Sequence, residues 1–291
     1  MATIVKEYRL LDSGNFQKLE RVGDYLLVRP ALQALWQPQL PESVWQSADA
    51  IFRRDDSGKG EWQSKRGRQL APQWVVHQDG IPFIVRLTDF GHIGLFPEHY
   101  QEWQSLASAI ASHKGGPFKC LNLFAYTGSL TLQLARAGAH VAHVDASKKS
   151  VDWARDNAQL AGLAQQPVRW LVDDVRKFVT KESRRQSQYD GIILDPPSFG
   201  RGAKNEVWKI EDDLFNLLKE LHPLCSENFA FLFLSCHTPG ISGLALQNLL
   251  SGLFKNQGTL RAGELAINEE DSSRKLPSGS FCLWLRNEAQ T

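Results

Sequence analysis

From residue 120 onward the chain alternates two patterns that demand different backbones. Short, continuously apolar runs of strand length at 120–124, 140–144, 168–172, 191–194 and 229–234 are separated by amphipathic stretches at about 130–137, 148–161, 175–181 and 210–222. A strand that is apolar along its whole length must be covered on both faces, and strands joined through helices run parallel. The pattern therefore predicts an α/β domain, a doubly wound Rossmann-like and mostly parallel sheet. A late apolar run at 279–285 predicts one more strand, paired with 264–267. Ligands of such sheets lie beyond the carboxyl ends of the strands, so the chemistry is expected in the strand-to-helix loops.

The first third of the chain has another texture. Five of its nine tryptophans fall before residue 105, and strand-like pieces at 8–11, 25–28, 74–77 and 82–87 end in turns. Asp79-Gly80 between apolar runs is a strong hairpin signal. A small N-terminal antiparallel β module is expected over 1–96, with the α/β domain over 97–291. Pro97 suits the first position of a helix, predicted here over 98–113. Thirty-three Lys and Arg balance 32 Asp and Glu, which excludes a polycation or an acidic tail but not a local basic patch. Cys120, Cys225, Cys236 and Cys282 are scattered, with no Cys-x-x-Cys pair and no His spacing that suggests zinc. No metal site is expected, and a reducing, cytoplasmic setting is. The opening residues lack the apolar stretch of a secretory signal. The run at 229–236 is far below the roughly 20 residues a spanning helix needs, so no membrane is expected.

Five loops carry candidate chemistry. Residues 121–128 (LNLFAYTG) turn sharply from a strand into a helix whose N-terminus offers N–H groups to a ligand. The three-glycine dinucleotide fingerprint is missing, which disfavours a nucleotide-dependent oxidoreductase. Asp145 ends the next strand, where a carboxylate can accept from both ribose hydroxyls; it could also cap the following helix, as could Ser147. Of Asp173 and Asp174, one can accept from an adenine amino group while the other caps a helix, and Asp174 is favoured for the adenine. Residues 191–199 (GIILDPPSF) set Asp195 on a rim stiffened by Pro196 and Pro197. Finally, Cys236 and His237 follow the strand at 229–234. Cys236 would act as a thiolate nucleophile only in electropositive surroundings.

Together these loops resemble class I S-adenosylmethionine-dependent methyltransferases, and more narrowly the large-subunit ribosomal RNA group that methylates cytosine C5 or guanine N7. The resemblance runs from about Leu87 to the C-terminus and is carried by NLFAYTG at 122–128, Asp145 and DPPSF at 195–199. It implies S-adenosyl-L-methionine as cofactor. Phe124, Tyr126, Thr127 and Gly128 would line its methionine and ribose, and Asp145 with Ala146 would hold the ribose. Asp173, Asp174 and Val175 would face the adenine, while Gly94, Leu95 and Phe96 of HIGLFPE would cover the methionine part. Asp195, Pro196 and Pro197 would face both cofactor and target base. In cytosine-C5 enzymes of this group a cysteine matching Cys236 attacks C6, and the motif aspartate, here Asp195, steadies N3.

A ribosomal RNA substrate would need cations and aromatic platforms. Arg53, Arg54, Lys59, Lys65, Arg66 and Arg68 surround Trp62, and Lys181, Arg184 and Arg185 form another cluster. Arg201, Lys204 and Lys209 with Phe199 and Trp208 follow the aspartate rim, so Phe199, Arg201 and Lys204 are the expected substrate contacts. Methyl transfer to an RNA base, cytosine C5 through Cys236, is the first expectation. The alternatives are N-methylation of guanine, adenine or a protein side chain without a covalent intermediate, and a non-catalytic RNA-binding assembly factor.

Overall fold

The computed structural model describes residues 7–54, 60–64, 67, 69–202, 206–254 and 258–287. The chain divides into two compact units, 1–98 with 266–278, and 99–265 with 279–291.

In the first unit a five-stranded sheet runs in the order β1 (Tyr8–Gly14), β2 (Gln17–Val22), β3 (Tyr25–Pro30), β4 (Ala50–Arg54), β5 (Gly60–Ser64), with a short helix α1 (Glu42–Gln46) before β4. A separate hairpin joins β6 (Trp74–Gln78) to β7 (Ile81–Val85). Asp79 and Gly80 take φ of 49° and 74°, the paired left-handed values of a two-residue turn matched to strand twist. The sheet is larger than its apolar pattern suggests because β2 (QKLERV) buries a charge. Glu20 is 0 % exposed and accepts both Arg29 Nε and Nη2 at 2.6 Å, and Tyr8 Oη at 2.7 Å. Lys18 Nζ lies 3.1 Å away.

The second unit opens with a 3-10 turn over Pro97–Glu102, and only Trp103–Ala111 (α2) is an α-helix. The tighter winding of the first turn stacks residues three apart, and both His99 and Glu102 are buried polar groups there. Then follow β8 (Lys119–Leu123), α3 (Ser129–Arg136), β9 (His140–Asp145), α4 (Lys148–Leu160), β10 (Val168–Val172), α5 (Val175–Arg184) and β11 (Gly191–Leu194). A small hairpin of β12 (Phe199–Arg201) and β13 (Val207–Lys209) leads to α6 (Ile210–Leu221), β14 (Phe231–Cys236), α7 (Gly243–Ser251), β15 (Gly258–Asn268) and β16 (Lys275–Arg286). The seven-stranded sheet has the order β10-β9-β8-β11-β14-β16-β15. Its first five strands are parallel, and β16 runs antiparallel to β14. The doubly wound sheet is thus as the sequence predicts, while α7 and the β12–β13 hairpin were not anticipated.

Alternation along the strands splits the core in two. Leu121, Leu123, Ile192, Leu194, Leu232 and Leu234 face a layer from α5, α6 and α7. Cys120, Val141, Ile193, Phe231 and Phe233 face α2 and α3. Cys120, Cys225 and Cys282 belong to this packing, their thiols pushed up by burial, the latter two to about 12. Among the described residues no helix is long and apolar enough to cross a membrane.

The Glu20 cluster gives the first unit a pH dependence. Burial alone would raise the Glu20 carboxyl, but Arg29 and then Lys18 outweigh it and hold it at about 2, against 4.5 for an ordinary glutamate. A group depressed in the folded state stabilises above its unfolded value, and that contribution is lost as pH falls towards the folded one. Urea midpoints should therefore fall between pH 5 and pH 3 more steeply in the native chain than in Glu20→Gln. That substitution should cost about 3–5 kcal/mol at pH 7, because Arg29 is left buried without its partner.

Candidate active site

The order of strands reverses between β8 and β11. Leu123 is level with Val144 on one side and with Leu194 on the other, and Leu194 with Leu234. The loops after β8, β9, β11 and β14 therefore emerge side by side, at the switch point where such sheets bind ligands.

The loop after β8 is held in a costly shape. Phe124, Tyr126 and Gly128 take φ of 56°, 49° and 84°. Left-handed backbone costs a non-glycine residue about 1–3 kcal/mol unless the surroundings enforce it. Here Asp145 Oδ2 accepts the Tyr126 N–H at 2.9 Å, and Asn157 Nδ2 of α4 donates to the Thr127 carbonyl at 3.0 Å. Ala125 N–H reaches the Val144 carbonyl at 3.1 Å. At Gly128 a Cβ would stand 3.0 Å from that of Ala154, so α4 packs against the turn with no room for a side chain. Below, Asn122 Nδ2 donates to Thr131 Oγ1 at 2.9 Å, and Thr131 Oγ1 lies 2.9 Å from His143 Nδ1. Burial keeps His143 neutral, with its pKa near 3.

Asp145 is not a helix cap. That role falls to Ser147, whose hydroxyl accepts the Ser150 N–H. The Asp145 carboxylate accepts Ser147 N–H at 2.8 Å as well as Tyr126 N–H, and burial pushes its pKa up against these two bonds. Two of roughly four acceptor positions on a carboxylate remain for a ligand's hydroxyls. Nearby, α3 has Gly128 as its N-cap and so no side-chain cap, and the buried Ser129 Oγ has no hydrogen-bond partner. A loop with spare acceptors, uncapped N–H groups and an orphaned hydroxyl fits a nucleoside cofactor. Ala146 is half-buried beside Asp145, and the Tyr126 ring lies 6.1 Å from that of Trp153.

After β10 the cap is Asp174, which accepts the Lys177 N–H at 3.1 Å, with Val175 buried behind it. This assigns to Asp174 the capping role expected of its neighbour. Asp173 Oδ1 accepts the Asp174 N–H and Oδ2 takes Lys181 Nζ at 2.6 Å.

Asp195 stands at the end of β11. Ser235 Oγ donates to its Oδ1 at 2.7 Å. His99 Nε2 lies 3.5 Å from Oδ2 and His237 Nε2 lies 3.5 Å from Oδ1, and the two ring nitrogens are 3.2 Å apart. Burial would raise the Asp195 carboxyl, but His99 and His237 outweigh it and hold it well below the usual carboxylate range. The proline rim is pinned by Trp208, whose Nε1 donates to the Pro197 carbonyl at 2.7 Å while its ring meets Phe124 at 4.9 Å. Trp208 is 5 % exposed, so it braces the rim and offers no stacking face. His99 was not singled out in the sequence, having no local motif around it.

Cys236 is 1 % exposed. Burial pushes its thiol pKa up, and Asp195 acts in the same direction against bonds from Thr238. Those are the opposite of the electropositive, open surroundings a thiolate nucleophile needs. Phe199 is 52 % exposed, with the Arg201 guanidinium 5.9 Å above its ring. Lys204, like Lys59, Lys65, Arg66 and Arg68, lies outside the described residues. Trp62 is tied inward, donating to the Thr88 carbonyl at 3.0 Å. Lys181 and Arg185 are engaged with Asp173 and Glu182. Gly94, Leu95 and Phe96 belong to the first unit, where Gly94 takes φ of 87° and Leu95 is buried.

Comparison with known proteins agrees with this fold. A solved S-adenosylmethionine-dependent methyltransferase from Agrobacterium tumefaciens superposes with a TM-score of 0.90 at 40 % identity, covering 98 % of this chain and 94 % of that one. The ribosomal RNA large subunit methyltransferase K/L of Vibrio cholerae is 32 % identical over 187 residues, 64 % of this chain. The corresponding methyltransferase K of Neisseria meningitidis is 27 % identical over 194 residues. The match spans 25 % of the length of the first and 53 % of the second. The family model for S-adenosylmethionine-dependent methyltransferases matches residues 3–241. The chain belongs to that family, and its cofactor is S-adenosyl-L-methionine.

Proposed function

We propose that this enzyme transfers a methyl group to a base of large-subunit ribosomal RNA, in the cytoplasm. The RNA reading is supported by the names of the relatives that match 64 % of the chain. The observation that carries the site is the left-handed loop at Phe124–Gly128, enforced by Asp145 and Asn157. S-adenosyl-L-methionine supplies its methyl on a sulfonium, an electrophile that needs no further activation, so the residues act by positioning. Asp145, with Ala146 beside it, takes the ribose hydroxyls. Phe124, Tyr126, Thr127 and Gly128 line the sugar and methionine, and Asp173, ahead of the capping Asp174 and Val175, borders the adenine. Asp195 on its proline rim accepts from the target base, and exposed Phe199 with Arg201 offers stacking and charge to single-stranded RNA. A base within paired RNA would be flipped out to reach Asp195.

The burial of Cys236 and its raised thiol favour transfer to a ring or amino nitrogen over covalent attack on cytosine C6. Asp195 then orients the acceptor without an enzyme-bound base. Incubation of total RNA with methyl-labelled cofactor should place label in one nucleoside of large-subunit RNA, read by mass spectrometry; label confined to protein, or none, would overturn the RNA reading. In that assay Cys236→Ala should keep its rate within about threefold, whereas Asp195→Ala should lose at least ~100-fold in kcat. Loss of transfer in Cys236→Ala with cofactor binding intact would restore the covalent route. Asp145→Ala should weaken S-adenosylhomocysteine binding by about 10–100-fold in calorimetry, as expected for lost hydrogen bonds to a charged group.

A further inference from the structure

Three groups with metal-ligand chemistry meet at one place that the methyl-transfer reading only partly uses. His99 comes from the 3-10 turn before α2, Asp195 from the end of β11 and His237 from just past β14. One donor atom from each lies within 4.8 Å of the others. We infer that His99, Asp195 and His237 form a binding site for a divalent transition-metal ion of the Zn²⁺ class, with a position left open to substrate.

The distances carry the argument. The His99 Nε2–His237 Nε2 separation is 3.2 Å, and each ring nitrogen lies 3.5 Å from its nearer Asp195 oxygen. A tetrahedral ion with ligand bonds of about 2.0–2.1 Å has ligand–ligand edges of roughly 3.3–3.4 Å. The two ring nitrogens stand close to that edge, and the ring–carboxylate separations, each to a different oxygen, lie slightly beyond it. Both imidazoles turn the same atom, Nε2, towards the carboxylate, and each faces a different oxygen.

The surroundings support a built site. Ser235 Oγ donates to Asp195 Oδ1 at 2.7 Å, the kind of outer bond that fixes a ligating carboxylate. Pro196 and Pro197, directly after Asp195, carry no N–H to compete for it. Exposure rises across the group, from 6 % for the His99 side chain to 18 % for Asp195 and 30 % for His237. The site is closed on the His99 side and open on the His237 side. Three protein ligands with one open position is the pattern of catalytic zinc, and imidazole donors select Zn²⁺, Co²⁺, Ni²⁺ or Fe²⁺ over Mg²⁺ and Ca²⁺. At the open position the ion would hold an oxygen or ring nitrogen of the target base. That last role rests on the function proposed above; the binding site does not.

The test uses the full chain, stripped with chelator and titrated with CoCl₂, whose visible absorption reports coordination by nitrogen and oxygen. One equivalent should bind with the absorption of a four- or five-coordinate ion, and ZnCl₂ should displace it. His99→Gln and His237→Gln should each weaken binding at least ~10-fold, while His222→Gln, away from the site, should not. Thermal melts and calorimetry with S-adenosylhomocysteine on the same samples verify folding and read the cofactor pocket separately. If either ligand variant fails to fold, Asp195→Asn takes its place with the same expectation. Absence of saturable Co²⁺ binding in the native chain, or unchanged binding in folded ligand variants, would overturn the site, whatever the outcome for methyl transfer.

Discussion

The hydrogen bond from Tyr126 N–H to the Asp145 carboxylate is the contact on which the site depends. It ties the end of β9 to the turn after β8 and holds a non-glycine residue in left-handed backbone. Such strain persists only where neighbours over-determine it, and here Asn157, Ala154 and the Val144 carbonyl share the task. The gain is a turn already shaped before a ligand arrives, with carboxylate capacity and helix N–H groups still available. Preorganisation of this kind lowers the entropic cost of binding.

The sheet makes the arrangement possible. Because β8 and β11 are neighbours, the Phe124–Gly128 loop and the Asp195 rim rise from adjacent strands, as the Asp195 N–H contact to the Leu123 carbonyl records. The two halves of the core clamp these strands from both faces. Gly191 at the start of β11 shows how tight the fit is. A Cβ there would stand 2.5 Å from the Phe231 ring. Rigidity at the base of the strands is what lets short loops at their tips hold fixed shapes.

Much of this was legible in the sequence, and the reasons for what was not are physical. Continuous apolar runs gave β8 to β11 and β14 within a residue or two, since a strand covered on both faces has few other ways to satisfy its side chains. Strand β2 escaped because Glu20 reads as a solvent residue and its buried partner Arg29 lies on another strand. The choice between Asp173 and Asp174 escaped because both can cap, and only the φ and ψ of the turn decide. His99 and His237 were invisible as a pair: spacing rules for ligands apply within one local segment, and these two come together only through the order of strands. Cys236 was placed correctly at a strand end, but whether such a thiol faces solvent or core is set by tertiary packing.

The central claim is that the Phe124–Gly128 turn is a preformed cradle with the ribose held by Asp145. A crystal structure of the chain with S-adenosylhomocysteine, compared with one grown without it, tests this directly. The account predicts the sugar hydroxyls on the Asp145 carboxylate and the same left-handed backbone at Phe124, Tyr126 and Gly128 in both. A nucleoside bound elsewhere, or a turn that relaxes out of that backbone when the ligand is absent, would contradict it.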